Sequence, residues 1–225
     1  MTYPRHKLRV LIACESSGIV RGAFTVKGHD VWSCDLIPTE KPGNHIEGDV
    51  LEILNDGWDL MIAHPPCTHL AVSGARWFND KQKEQEAALE FVRQLLNAPI
   101  PAICLENPVS IISTRIRRPD QIIQPWMFGH AEAKGTCLWL KNLPLLKPTH
   151  FIDPPLYGCK CGMKFEAALG KYGCPNCLAS NGPAKPIYRN QTPSGQNNIG
   201  PSHARARIRS RTYPGIAEAM AVQWS

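Results

Sequence analysis

The first apolar block, Arg9-Val10-Leu11-Ile12-Ala13, is a short continuous run of the kind that a parallel strand buried on both faces requires. It is followed by Cys14-Glu15-Ser16-Ser17-Gly18 and then Ile19 to Phe24, which reads as a tight turn opening a helix, with Ser16 or Ser17 placed to cap it. His29 to Cys34 predicts a second strand ending at Asp35, and a loop rich in Pro and Gly from Pro38 to Asn44 leads to Ile46-Glu47-Gly48-Asp49-Val50. Trp58 to Ala63 predicts another buried strand. Residues Gln82 to Asn97 then carry Ala88, Phe91, Val92, Leu95 and Leu96 at helical spacing. Ile100 to Leu105 and Thr136 to Leu140 read as further strands, and Tyr213 to Val222 as a closing helix with Pro214 near its start. Short strands alternating with helices predict an α/β fold with a parallel sheet.

Length and composition narrow this picture. A chain of 225 residues holds one well-buried α/β domain and a small appendage. Residues 1–150 form the expected main domain. Residues 151–200, rich in Gly, Pro, Asn and Cys without amphipathic period, form a loop-rich insert, and residues 201–225 supply a basic segment and a helix that completes the main domain. No apolar run approaches the roughly 18 to 20 residues of a membrane span, and Met1 to Lys7 leads into a strand rather than a signal-peptide core, so a cytoplasmic location is expected. The net charge of +6 is uneven, with 16 Lys+Arg against 16 Asp+Glu over residues 1–150 and 9 against 3 over residues 151–225. A basic surface attracts phosphate backbones by counterion release, which makes the last third the expected docking region for nucleic acid.

The chemistry concentrates at two strand ends. Cys67 lies in Ala63-His64-Pro65-Pro66-Cys67-Thr68, and about forty residues later the next strand runs into Glu106-Asn107-Pro108. In an open α/β sheet ligands bind in the crevice beyond the carboxyl ends of the strands, so a thiol and a carboxyl there can converge on one substrate. A pyrimidine ring becomes nucleophilic at C5 only after something adds to C6. Cys is suited to that addition, and an adjacent acid to holding a proton against N3. Pro65 and Pro66 rigidify the turn before the thiol. Cys14, Cys34, Cys104 and Cys137 are expected to be inert, buried thiols.

These residues resemble the motifs of the S-adenosylmethionine-dependent DNA cytosine-5 methyltransferases. Arg9 to Phe24 is similar to the family's cofactor loop, Asp35 and Gly48-Asp49-Val50 to its second and third motifs, Pro66-Cys67-Thr68 with Ser73-Gly74 to its nucleophile loop, and Glu106-Asn107-Pro108 to its Glu-Asn-Val motif. The resemblance implies a Rossmann-like class I methyltransferase sheet with helices on both faces, Cys67 and Glu106 as catalytic residues, and S-adenosylmethionine as cofactor. It implies that Cys14, Glu15, Ser16, Ser17 and Gly18 lie along the methionine part. Asp35 with Leu36 would meet the ribose, Asp49 with Val50 the adenine, and Pro65 and Pro66 would line the pocket. Lys134, in Lys134-Gly135-Thr136, is the nearest counterpart of the base-binding Gln-x-Arg-x-Arg motif. The loop reads Glu15-Ser16-Ser17-Gly18 where the family carries a double glycine, and no room exists for the usual separate recognition domain. The compact form resembles methyltransferase-like proteins of phages and prophages.

In place of that domain stand Cys159-Lys160-Cys161 and Cys174-Pro175-Asn176-Cys177, two close pairs separated by twelve residues. Paired cysteines on two turns suit a tetrahedral Zn²⁺ bound by Cys159, Cys161, Cys174 and Cys177, giving a small zinc-ribbon insert. Arg205, Arg207, Arg209 and Arg211 alternate, so a strand would present them on one face and an extended loop along a phosphate backbone. Trp77 and Phe78 are candidates for stacking on a displaced base. The expected partner is DNA, possibly single-stranded, with RNA or a free pyrimidine nucleotide as alternative acceptors. A non-catalytic zinc-ribbon nucleic-acid-binding protein is the alternative from another functional class.

Overall fold

The computed structural model describes residues 7–72, 82–154, 156–159, 161–166, 174, 185–191 and 210–225. The chain divides into two compact units, one comprising residues up to Ile123 with Gly135–Lys147 and Ile216–Ser225, the other Gln124–Lys134 with Pro148–Gly215.

The first unit is built on seven strands: β1 (Arg9–Ala13), β2 (Asp30–Asp35), β3 (His45–Glu47), β4 (Leu60–Ala63), β5 (Ala102–Pro108), β6 (Gln121–Ile123) and β7 (Thr136–Lys141). They lie in the order β3-β2-β1-β4-β5-β7-β6. The pairs from β3 through β5 are parallel, whereas β7 runs antiparallel to both β5 and β6. The sheet is therefore mixed and not wholly parallel, because a short apolar segment such as Thr136–Lys141 carries no sign of strand direction. The fold is a Rossmann-like α/β sheet. Its chain order reverses between β1 and β4, and ligands of such sheets bind at that switch point.

Both faces are covered. Leu11, Ala13, Met61, Ala63, Ile103 and Leu105 share one apolar cluster with Leu89, Val92 and Leu95 of α2 (Gln82–Leu96). The alternating residues Val10, Ile12, Leu60, Ile62 and Cys104 point to the opposite face and are also fully buried, as are Val20 and Phe24 of α1 (Ile19–Val26). A four-residue helix, α3 (Ile112–Arg115), follows β5. The closing helix α4 (Pro214–Gln223) begins on the proline, buries Ile216, Ala217 and Met220, and exchanges two 2.8 Å hydrogen bonds between the Gln223 amide and the Lys147 backbone. No helix among the described residues is long and apolar enough to cross a membrane.

The cap of α1 differs from expectation. Ser17 takes part, its Oγ accepting the Ile19 N–H at 3.3 Å, but the main cap is the Glu15 carboxylate, 6% exposed, which accepts the Val20 and Arg21 backbone N–H groups at 2.8 and 3.2 Å, and Ser17 Oγ–H at 2.9 Å. A carboxylate satisfies two open amides and suits the positive helix end, which a serine hydroxyl does less well.

Arg21, 2% exposed, organises the loop between β2 and β3. Its guanidinium donates to the carbonyls of Lys41, Pro42 and Asn44 and to the hydroxyls of Ser33 and Thr39 at 2.6–3.2 Å. Gly18 sits at φ 66°, and a Cβ there would come within 2.8 Å of Arg21 Nη2 and 3.1 Å of Lys41 Cβ, so the position needs glycine for conformation and for room. Arg21→Met leaves these carbonyls without their buried donor. Urea unfolding should show a loss of about 3 kcal/mol, with loop 38–44 becoming the first site of limited proteolysis; unchanged stability would refute this anchoring role.

Candidate active site

The register fixes which residues meet at the carboxyl edge of the sheet. Ala13 pairs with Cys34 on one side and Ala63 on the other, and Ala63 pairs with Leu105. One residue further along each strand stand Asp35, Cys14, His64 and Glu106, in a row centred on the switch point. The row follows from strand pairing alone.

At its centre the chain leaves β1 through Cys14, whose φ of 58° is unusual for a non-glycine residue and costs about 1–2 kcal/mol. That turn lets the Glu15 N–H donate to the Cys34 carbonyl at 3.1 Å and sets the Glu15 carboxylate under α1. The Ser16 carbonyl accepts the Glu40 N–H at 2.8 Å and the Thr39 hydroxyl at 3.1 Å, which ties the loop of Cys14 to Gly18 to the Arg21-anchored loop. Asp35 ends β2 half-buried, and burial is the main cause that lifts its carboxyl above the usual carboxylate range. Leu36 beside it is 73% exposed. Asp49 caps a short 3₁₀ turn, Val50–Ile53, by accepting the Leu51 N–H at 3.0 Å, and Val50 is buried beneath it. Asp35 and Asp49 both act on Cys14, whose thiol is pushed far up by burial first, then by Asp35, Cys34 and Asp49. Burial likewise pushes Cys34 up to about 11, and raises Cys104 and Cys137 with a further contribution from Glu106. All four thiols are thus held protonated near neutrality.

Cys67 is placed differently. It lies four residues past the end of β4, partly exposed, and its carbonyl accepts the N–H groups of Leu70 and Ala71 at 3.1 and 2.9 Å. The preceding Pro65 is buried and Pro66 exposed. Asn107, 1% exposed, donates from Nδ2 to the Pro65 carbonyl at 2.9 Å, so β5 clamps the loop that carries the thiol.

Glu106 lies within β5 rather than beyond its end, because the antiparallel ladder with β7 continues to Pro108 and sets Glu106 opposite Leu138. It is 6% exposed, and its Oε2 stands 2.8 Å from His64 Nδ1. His64, Asn107 and Arg21 carry no signal of function in the chain alone, whereas Glu15, expected along the methionine part of the cofactor, also caps α1. His64 was legible only as the residue one step past Ala63, just as Glu106 is one step past Leu105; which strands are neighbours cannot be seen in a linear string.

In the second unit β8 (Leu156–Gly158) pairs antiparallel with β9 (Lys164–Glu166) and with β10 (Lys185–Ile187). The turn between β8 and β9 carries Cys159 and Cys161 and is closed by the Cys159 N–H donating to the Met163 carbonyl at 2.9 Å. Cys174 Sγ lies 3.6 Å from Cys161 Sγ, and the sulfur atoms of Cys159, Cys161 and Cys174 all fall within 4.8 Å of one another. Thiolates bound tetrahedrally to zinc at ~2.3 Å stand roughly 3.8 Å apart, so the three sulfurs fit such an ion. Lys134 donates its backbone N–H to Gln124 Oε1 at 2.9 Å and holds its ammonium 5.9 Å from the Tyr213 ring centroid, while the Tyr213 hydroxyl donates to Glu132. Arg211 is exposed. Cys177, Arg205, Arg207, Arg209, Ser73, Gly74, Trp77 and Phe78 lie outside the described residues.

No protein-family model matches this chain, and no curated protein matches it in sequence. Among solved structures, one match is a triple mutant of Spodoptera frugiperda DNMT2, at 13% identity and a TM-score of 0.42, covering 65% of this chain and 54% of that one. The chain thus spans about half the length of that protein.

Proposed function

We propose that this chain is a cytosine-C5 methyltransferase acting on DNA, with Cys67 as nucleophile and Glu106 as the acid that engages the base. One observation carries the reading: the loop that leaves β4 with Cys67 and the neighbouring strand β5 with Glu106 are coupled by the Asn107–Pro65 hydrogen bond, beside the Cys14 turn at the switch point. A thiol on a loop clamped by the strand that carries a carboxyl group is the pair that addition to a pyrimidine needs.

The chemistry follows from the ring. Cys67 Sγ bonds to C6 while the C5–C6 π electrons move toward C5, and Glu106 supplies a proton at N3 that stabilises the charge delivered into the ring. After C5 is alkylated, loss of its hydrogen as a proton to water, return of the N3 proton to Glu106 and cleavage of the Sγ–C6 bond restore the aromatic ring and the thiolate. A base in duplex DNA must leave its stack for this to occur.

The edge fits S-adenosylmethionine. Asp35 receives the Ile37 N–H at only 3.4 Å and retains acceptor capacity for a pair of ribose hydroxyls. Exposed Leu36 and the Asp49–Val50 turn offer a flank for adenine, and the backbone of Cys14 to Gly18 with Pro65 and Pro66 a channel for the methionine part. Glu15 shapes this channel from below, since its carboxylate is engaged by α1. The bound cofactor would supply an electrophilic methyl group at C5. In the second unit Cys159, Cys161 and Cys174, with Cys177, form the proposed zinc site, and the basic last third, Lys134 and the alternating arginines the proposed contacts to phosphate.

Labelled S-adenosylmethionine offered with DNA, RNA or dCMP should mark DNA. Label in RNA or in dCMP alone would move the same chemistry to that acceptor, and salt-sensitive DNA binding without any transfer would replace it with a non-catalytic role. A DNA oligonucleotide containing 5-fluorocytosine should form a covalent adduct with wild-type protein and none with Cys67→Ala, while Glu106→Gln should lower turnover by about 10²–10⁴-fold. An adduct with Cys67→Ala would overturn the assignment. Elemental analysis should find about one zinc per chain, lost together with thermal stability in Cys161→Ser and Cys174→Ser. Unaltered metal content in these variants would reject the site.

A further inference from the structure

The contact between His64 and Glu106 has no part in the chemistry so far assigned. Their side chains are 9% and 8% exposed, and His64 Nδ1 lies 2.8 Å from Glu106 Oε2. The backbone that carries the ring is held on both sides. The His64 N–H donates to the Ala13 carbonyl at 2.9 Å, and Pro65, next in the chain, is held by Asn107. His64 Nε2 is buried without a hydrogen-bond partner among the described residues. Around the pair stand the Cys14 thiol at the end of β1, Cys104 in β5 and Cys137 in β7, all kept neutral by burial, while Asp35 and Asp49 group around Cys14 and Asp120 acts on Cys104. A buried imidazole whose one nitrogen is given over to a carboxyl oxygen is well placed to set that group's orientation and its protons.

We propose that His64 is the positioning residue and proton partner of Glu106, an inference that rests on the roles given above to Cys67 and Glu106. By holding Oε2, Nδ1 fixes the orientation in which the carboxyl group would meet the pyrimidine. When Glu106 passes its proton to N3, the carboxylate that results keeps the Nδ1–H hydrogen bond and shares the imidazole's proton. When N3 returns the proton, the pair regains its starting state. The pair itself neither gains nor loses a proton over the cycle. The pair must enter each turnover with one proton more than an ionised Glu106 beside a neutral His64. Rising pH removes that proton, so the high-pH limb of the rate profile belongs to the pair.

His64→Asn separates positioning from proton exchange, because its amide nitrogen can keep a hydrogen bond to Oε2 but carries no titratable proton. Relative to wild type, kcat should fall about 10²-fold at pH 8 and less than about tenfold at pH 6, moving the descending limb to lower pH, with the KM for S-adenosylmethionine nearly unchanged. A profile lowered by one factor at every pH, or left unaltered, would overturn the proposal. If His64→Asn does not fold, the test falls to ¹⁵N-histidine NMR of the wild-type chain. There the His64 Nδ1 resonance should shift on Glu106→Gln, and an unmoved resonance overturns the inference. Wild-type protein that forms no adduct with 5-fluorocytosine DNA removes the Cys67 reading and this one with it. An adduct accompanied by an unshifted profile removes only the role of His64.

Discussion

The arrangement of the site depends on the parallel ladder that keeps β2, β1, β4 and β5 in step. Because Cys34, Ala13, Ala63 and Leu105 share one level of the sheet, the next residue on each strand lands on one line. A slip of one residue in any strand would turn its side chains to the other face. Both faces are packed with Leu, Ile, Val and Met, so such a slip would bury the wrong groups and lose the apolar contacts that hold the sheet. Register and core packing are therefore one constraint.

Beyond that line the chain carries polar groups into places with little water, and three of these residues are met by specific partners. Glu15 answers open amides of α1, Arg21 answers carbonyls of the β2–β3 loop, and Asn107 answers Pro65. Unmet buried polar atoms would cost on the order of 1–3 kcal/mol each, so these contacts keep the loops at the sheet edge in single conformations. The backbone strain at Cys14 is borne in the same region, bounded by a rigid strand before it and a capped helix after it. Loops held in this way present their groups to a ligand without first having to be ordered.

Much of the fold was legible in the chain. The apolar runs gave β1, β2, β4 and β7 to within about two residues and β5 to within about three, and the spacing of Phe91, Val92 and Leu95 gave α2. What sequence could not supply was lateral order. The antiparallel sense of β7 and the approach of His64 to Glu106 arise from strands far apart in the chain, and no local pattern encodes them. The cap of α1 is only partly legible for a related reason: Ser17 accepts the Ile19 N–H as its residue type suggests, but the Glu15 carboxylate, carried past the left-handed turn at Cys14, takes the Val20 and Arg21 amides. The cysteine turn of the second unit followed directly from its spacing, since two thiols one residue apart on a tight hairpin need little beyond the Gly162 turn, at φ 90°.

The anchoring of the β2–β3 loop bears on how freely that segment can change. Three of the five groups that Arg21 grips are main-chain oxygens, those of Lys41, Pro42 and Asn44. A grip on carbonyls is indifferent to the side chains above them. The outer surface of the loop can therefore drift in charge and size through mutation while its path over the Cys14 turn stays the same, leaving selection free to retune that edge of the sheet without rebuilding what lies beneath it.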